Sequence, residues 1–179
     1  MSDNMKDNKR EQMDEQPKKT IREDESLDPV SPYTLMAKLF AHVAKAVVDR
    51  FGEEGEEAVR EGVRAFGEER GRDIARRAAA RGLPNDIENY LPNYDMGRSE
   101  LFEYETIYHP CEIEQNFTRC AFGDQWKKDG MEKYGILYCQ MIDPAIAKGY
   151  NPNFEVEHDK YLLKDGYCHF RFKMKDAKE

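Results

Sequence analysis

Tyr167-Cys168-His169-Phe170-Arg171-Phe172-Lys173-Met174 alternates strictly between two kinds of side chain. A period of two puts Cys168, Phe170, Phe172 and Met174 on one face of a strand, and Tyr167, His169, Arg171 and Lys173 on the other. The first face is apolar and is expected to be the buried one. Just upstream, Lys164-Asp165-Gly166 supplies an Asp-Gly pair, a strong hairpin signal, and Phe154–Leu163 reads as the partner strand. The chain is therefore expected to end in a β-hairpin. A further strand is read over Leu101–His109, where Phe102, Tyr104, Thr106 and Tyr108 alternate with Glu103, Glu105 and Ile107, and Pro110 stops it.

The N-terminal half has a different period. Ser31 suits an N-cap and Pro32 the first helical position. Leu35, Met36, Leu39, Phe40, Val43, Val47 and Phe51 then recur at helical spacing, with Lys38, His42, Lys45 and Asp49 on the other side. The apolar set is expected to face the core, and Gly52 can end the helix. A second helix is read over Glu53–Arg81. Its acidic start (Glu53, Glu54, Glu56, Glu57) and basic end (Arg76, Arg77, Arg81) suit the helix macrodipole. Val59, Val63, Phe66, Ile74 and Ala78 form its apolar stripe. Gly62, Gly67 and Gly71 are odd there, each costing about 1 kcal/mol against Ala. They point either to close approach by another backbone or ligand, or to a break near Gly67. Gly82 and Pro84 end the helix.

A short helix is expected near Asp86–Leu91. Residues 111–130 carry Phe122 and Trp126 but no clear period, and read as a packed, irregular piece. From Met131 a helix is expected, with Tyr134, Tyr138 and Ile142 on one stripe and Gly135, Cys139 and Asp143 on the next. Pro144 interrupts it, and Asp143 reads as the N-cap of a short helix to Lys148. The fold class is thus α+β: N-terminal helices packed on an antiparallel sheet with a C-terminal β-hairpin.

The chain has 179 residues, enough for one domain, expected at 31–179. Residues 1–30 hold nine acids and six bases with only isolated apolar residues, and are expected to be a disordered charged tail. The net charge of −8 makes nucleic acid a poor partner, because phosphate contacts need clustered Lys and Arg. No apolar run approaches the ~18 residues that a membrane span needs, and no secretory signal is visible. A cytoplasmic location, reduced thiols and a small-molecule partner are expected, with a homo-oligomer left open.

None of the common nucleotide-binding, zinc-protease or serine-hydrolase motifs is present. The informative residues are Cys120, Cys139 and Cys168, each beside an aromatic: Phe122, Tyr138 and Phe170. Three readings compete. They are small buried hydrophobes, or ligands of a divalent metal such as zinc together with a carboxylate or His, or they include a nucleophile. A nucleophilic thiol needs a base or a positive field, and His109, His158 and His169 are candidates. His169 and Cys168 point to opposite faces of their strand and cannot form a dyad. Asp143 lies one helical turn from Cys139.

Four blocks resemble the L-2-amino-thiazoline-4-carboxylic acid hydrolase family: Arg70-Gly71-Arg72-Asp73-Ile74-Ala75 with Gly82 and Pro84; Cys120-Ala121-Phe122 with Trp126 and Gly130; Tyr138-Cys139 with Ile142-Asp143; and Leu163, Asp165-Gly166 and Cys168-x-Phe170. Order and spacing agree from about Tyr33 to Met174. The family often has Pro where Ala121 stands, and Cys111 has no counterpart. The resemblance implies ring opening of L-2-amino-thiazoline-4-carboxylate to N-carbamoyl-L-cysteine. Hydrolysis there needs a nucleophile at the amidine-like carbon 2 and a proton for the departing sulfur. The resemblance makes Cys139, Asp143, Cys120 and Cys168 the catalytic candidates, with Asp143 holding the amidine. Arg70 and Arg72 are the matched candidates for the substrate carboxylate. If a metal takes part, Cys120, Cys139 and Cys168 are its expected ligands. A non-catalytic small-molecule or zinc-binding module is the alternative.

Overall fold

Small side chains and glycines set how closely the helices of this protein approach one another. The computed structural model describes residues 29–97 and 100–175, so residues 1–28 of the expected tail lie outside it. Helix α1 (Pro32–Phe51) begins as anticipated, with the Ser31 hydroxyl accepting the Tyr33 N–H. Its buried face, however, is Ala37, Ala41, Ala44 and Val48, not the larger apolar set. Leu35, Met36, Leu39, Val43 and Phe51 face outward, Leu39 remaining 67% exposed. The reason lies across the interface. Helices α4 (Ala121–Asp129) and α5 (Glu132–Cys139) present Phe122, Trp126 and Tyr134 to α1, and beside such rings only short side chains fit. Trp126 Nε1 donates to the Ala37 carbonyl at 2.8 Å across this contact. Leu39→Glu is accordingly expected to change stability by less than about 0.5 kcal/mol. Ala41→Leu should destabilise by about 1–3 kcal/mol through overpacking. Urea unfolding of both variants checks the reversal.

Helix α2 (Glu53–Ala80) runs unbroken through its glycines. Two of them are close-approach sites for α6 (Ile142–Tyr150). A methyl on Gly67 would lie 2.6 Å from the Ala145 Cβ; one on Gly71 would run into the Ile146 carbonyl oxygen and lie 2.6 Å from the Tyr150 nitrogen. Gly149 returns the contact, its Cα facing the Glu68 backbone. Gly62 faces open space and plays no such part.

After the short helix α3 (Ile87–Tyr90) and a 3₁₀ turn (Leu91–Asn93), the chain enters the sheet. Strands β1 (Phe102–His109), β2 (Glu112–Cys120), β3 (Phe154–Lys160) and β4 (Cys168–Met174) pair antiparallel in the order β1-β2-β4-β3. Strand β2 and helix α4 occupy the segment expected to be irregular. The inward row of β2 is Ile113, Gln115 and Phe117, and the polar Gln115 breaks the apolar alternation that would have marked a strand. Gln115 is nevertheless buried, its amide donating to Thr106 Oγ1 at 2.9 Å on β1.

The C-terminal strands pair as expected, with Cys168, Phe170 and Phe172 buried. The turn differs. A single helical turn, α7 (Leu162–Asp165), replaces the tight Asp-Gly hairpin turn. Asp165 accepts the Tyr161 N–H at 2.8 Å, and Gly166 ends the turn at φ +85°. Leu162 is thereby driven into the core against Gly123. Asp143 is likewise not an N-cap: α6 starts at Ile142, with Met141 in the cap position and Asp143 inside the first turn.

Candidate active site

A cleft of about 730 Å³ lies between the inner face of the sheet and the helices. Three strands and two helices contribute polar or thiol side chains to its lining. Cys120 ends β2, Cys168 begins β4, His158 stands on β3, Cys139 ends α5 and Asp143 opens α6; all five line the cleft. The strand pairing aligns Thr106, Gln115, Phe170 and His158 in one row across the sheet. A register shift between His158 and Lys160 marks a bulge just after the histidine, a device that re-aims a side chain.

The His158 ring is held between Tyr161 and Phe170, each 4.0 Å away centre to centre. Its side chain is only 3% exposed, with Nδ1 3.6 Å from Asp143 Oδ2. Neither ring nitrogen has a hydrogen bond of normal geometry among the described residues. Buried polar groups are nearly always paired, so an exception in a cleft marks a place where a ligand or water can bind. Burial lowers the His158 pKa to about 4, partly countered by the Cys139 and Lys160 backbones, so the ring is neutral at pH 7. Burial acts oppositely on Asp143 and pushes its carboxyl up to about 6, with Arg70 pulling it back.

The thiols are also governed by burial. Cys120 is raised to about 11, the backbone N–H groups of Gly123 and Phe122 opposing this, and Cys168 is raised to about 12. Cys139 stands well above the ordinary thiol range, from burial first and then from Cys120 and Cys168. All three rest as neutral thiols at pH 7. Cys168 Sγ also accepts the Leu162 N–H at 3.3 Å. Among the described residues, no three His, Cys, Asp or Glu side chains are placed to hold a metal ion. Cys120, Cys139 and Cys168 are not grouped in that way among the described residues.

The two expected carboxylate-binding arginines part company. Arg70 lines the cleft, but its Nε and Nη2 donate to the two oxygens of Asp95 at 2.8 and 2.6 Å. Burial works against the Arg70 charge, but Asp95, Tyr94 and Tyr138 together outweigh it and raise the guanidinium pKa. The guanidinium also lies over Tyr94 and Phe66. Arg72 points away, 53% exposed, with Glu68 at 3.9 Å, and does not line the cleft. Of the three histidines considered as bases, only His158 reaches the cleft. His169 lies on the outer face of the sheet, its ring bridging Asp159 and Glu114, and His109 pairs with the same Glu114. Cys111 is exposed in the β1–β2 turn, and all four cysteines are free.

Residues not expected at the site complete the walls. Tyr90 and Tyr94 line the cleft beside Tyr138, and Tyr104, Tyr108 and Phe117 line it from strands β1 and β2. The one available signal was β1, whose Tyr104, Thr106 and Tyr108 share a face. Among the described residues, no helix is long and apolar enough to cross a membrane.

A family model described as L-2-amino-thiazoline-4-carboxylic acid hydrolase matches residues 32–172, from the first turn of α1 to β4. No curated protein matches the chain.

Proposed function

The chain belongs to the L-2-amino-thiazoline-4-carboxylic acid hydrolase family, and we propose that its cleft hydrolyses a small amidine-type heterocycle, thiazoline carboxylate or a relative, to an N-carbamoyl product. The observation that carries this reading is the buried pair of Asp143 and His158, 3.6 Å apart, with neither imidazole nitrogen in a hydrogen bond of normal geometry among the described residues.

The two groups divide the work. Asp143, ionised above about pH 6, attracts the cationic amidine and holds carbon 2 near His158. His158 is neutral and can take a proton from a water that adds to carbon 2. The bond from carbon 2 to sulfur then breaks, and the imidazolium gives its proton to the departing sulfur. An imidazolium of low pKa is a strong acid and suits this second half. The remaining hydroxyl proton passes to Asp143 as the carbonyl forms, and from there to solvent. One C–O bond forms, one C–S bond breaks, and the product is a neutral carbamoyl group with a free thiol.

A thiol route is the second reading, because Cys139 lines the same cleft as Asp143, although the helix expected to carry both breaks at Gln140–Met141 and leaves Cys139 at the end of α5 and Asp143 in the first turn of α6. It requires Cys139 to lose a proton that burial makes it hold tightly. Purified protein is incubated with thiazoline carboxylate and the N-carbamoyl product followed by mass spectrometry. His158→Gln is expected to lower kcat by roughly 10²–10⁴-fold, the usual worth of a general acid–base. Cys139→Ser is expected to keep activity within about tenfold of wild type, a smaller change than loss of the acid–base. Abolished turnover in Cys139→Ser with an active His158→Gln would replace the water route with the thiol route. Tight binding of the amidine without any product would favour the sensor alternative.

A further inference from the structure

Helices α1 and α2 form an antiparallel hairpin about Gly52, with Gly55 set against the Val47 carbonyl. One side of the hairpin packs on α4, α5 and α6. The other side faces outward and is apolar. On α1 it carries Leu35, Leu39 and Val43, and on α2 Ala58, Ala65 and Phe66, all exposed. Helical rise over the 20 residues of α1 makes this face about 30 Å long, and two helix widths make it about 20 Å across. Roughly 600 Å² is what each partner gives to the smaller stable protein interfaces, and an apolar patch of that size marks an interaction site. The sequence ahead of Pro29 has only isolated apolar residues to set against it.

Size and charge say what does match it. The α1 half is built of large side chains and the α2 half has two alanines. The long rims differ in sign. Lys38, His42 and Lys45 follow the edge of α1 that turns toward α5, where Lys45 lies over the Tyr134 ring and pairs with Asp49. Glu54, Glu57 and Glu61 follow the far edge of α2, where Arg64 pairs with Glu57. The α1 rim is thus net positive and the α2 rim net negative. A two-fold axis in the plane of the face can seat a second copy in two ways. An axis across the helices sets α1 on α1 and brings like rims together. An axis along the helices sets α1 on the other copy's α2. Large then meets small, and Lys38 and His42 come within about one helical turn of Glu61 of the other copy.

We propose that this protein forms an isologous dimer in which α1 of each copy lies antiparallel on α2 of the other, making a four-helix bundle. Leu35, Leu39 and Val43 of one copy pack on Ala58 and Ala65 of the other. None of these residues lines the cleft, so the dimer is independent of the hydrolase reading.

Sedimentation velocity of the full chain, from about 1 to 100 µM, is expected to show a species of twice the 20.9 kDa chain mass. Leu39→Glu buries two unpaired charges in the seam and should raise the dimer Kd at least about a hundredfold, leaving a folded monomer with unchanged far-UV circular dichroism. Its urea unfolding is compared with that of the wild type below the wild-type Kd, where both are monomers. Glu61→Lys should raise the Kd at least about fivefold, and Lys38→Glu combined with Glu61→Lys should return it to within about threefold of the wild type. A wild-type chain that is monomeric throughout overturns the proposal, as does a dimer that Leu39→Glu leaves intact. A dimer lost in Leu39→Glu but unmoved or tightened by Glu61→Lys also overturns it, because the copies would then meet α1 on α1.

Discussion

Gly71→Ala is expected to destabilise this protein by about 3 kcal/mol or more, although it deletes no interaction. The added methyl would meet the Ile146 carbonyl, the Tyr150 nitrogen and the Gly149 carbonyl carbon, all backbone atoms of α6. No rotamer change relieves a clash with backbone, so α2 and α6 must separate. Overpacking in a tight core costs about 1–3 kcal/mol where side chains can yield, and this site should reach or exceed the top of that range. For a chain of this size, about 3 kcal/mol lowers Tm by roughly 10 °C. Gly62→Ala on the same helix should do the opposite. Its position is open, so the substitution gains about 1 kcal/mol of helix propensity. Thermal unfolding followed by circular dichroism should therefore give shifts of opposite sign. Equal, small shifts would show that α2 and α6 do not meet at Gly71.

Asp143→Asn is expected to make the protein more stable at pH 7 and at least 10²-fold less active. Burial raises this carboxyl from 3.8 to about 6 against the pull of Arg70. The folded state therefore binds the proton more tightly than the unfolded state. Between about pH 4 and 6 stability falls as pH rises, and above pH 6 the ionised group costs at most about 3 kcal/mol. Asn carries no charge and removes that cost. His158 has the reverse sign: its pKa falls from 6.5 to about 4 on burial. Its contribution is complete above the unfolded value and is lost as pH falls toward 4. In the wild type the two slopes nearly cancel between about pH 4 and 6. In Asp143→Asn the histidine acts alone, so stability should rise with pH from about 4 to 6.5. Urea unfolding across that range, beside turnover at neutral pH, checks both halves. A variant with unchanged activity and unchanged pH dependence would remove Asp143 from the site.

What the sequence disclosed depends on how far each signal is local. Strand β4 alternates without exception because its whole inner face packs on apolar neighbours, and it was readable. Strand β2 has the same geometry, but Gln115 occupies an inward position and finds its partner, Thr106, on another strand. No local pattern predicts that bond. In α1 the periodicity was right and the face was wrong. Two seams of the helix are apolar, and the choice between them is made by the rings of Phe122, Trp126 and Tyr134, far away in sequence. Size complementarity, rather than hydrophobicity, selected the alanines.

The site shows the same division. Cys120, Cys139, Cys168 and Asp143 all line the one cleft. Their protonation was not legible, because it is set by burial. Arg70 and Arg72 look equivalent in sequence, but two residues along a helix turn a side chain well away from its predecessor's face. One reaches Asp95 and the other solvent. His158 stood as one of three histidines until the strand order assigned the other two to outward-facing or terminal positions.

The chain contains one tryptophan, Trp126. Its indole is almost wholly buried, lies 5.8 Å from Tyr138 and 5.9 Å from Phe122, and spends its N–H on a helix carbonyl. Tyr138 and Phe122 are also walls of the cleft. The native protein thus holds a single blue-emitting fluorophore, separated from any bound molecule by one layer of rings. Its intensity should report cleft occupancy, and its red shift should report unfolding, so one unlabelled optical signal follows both events.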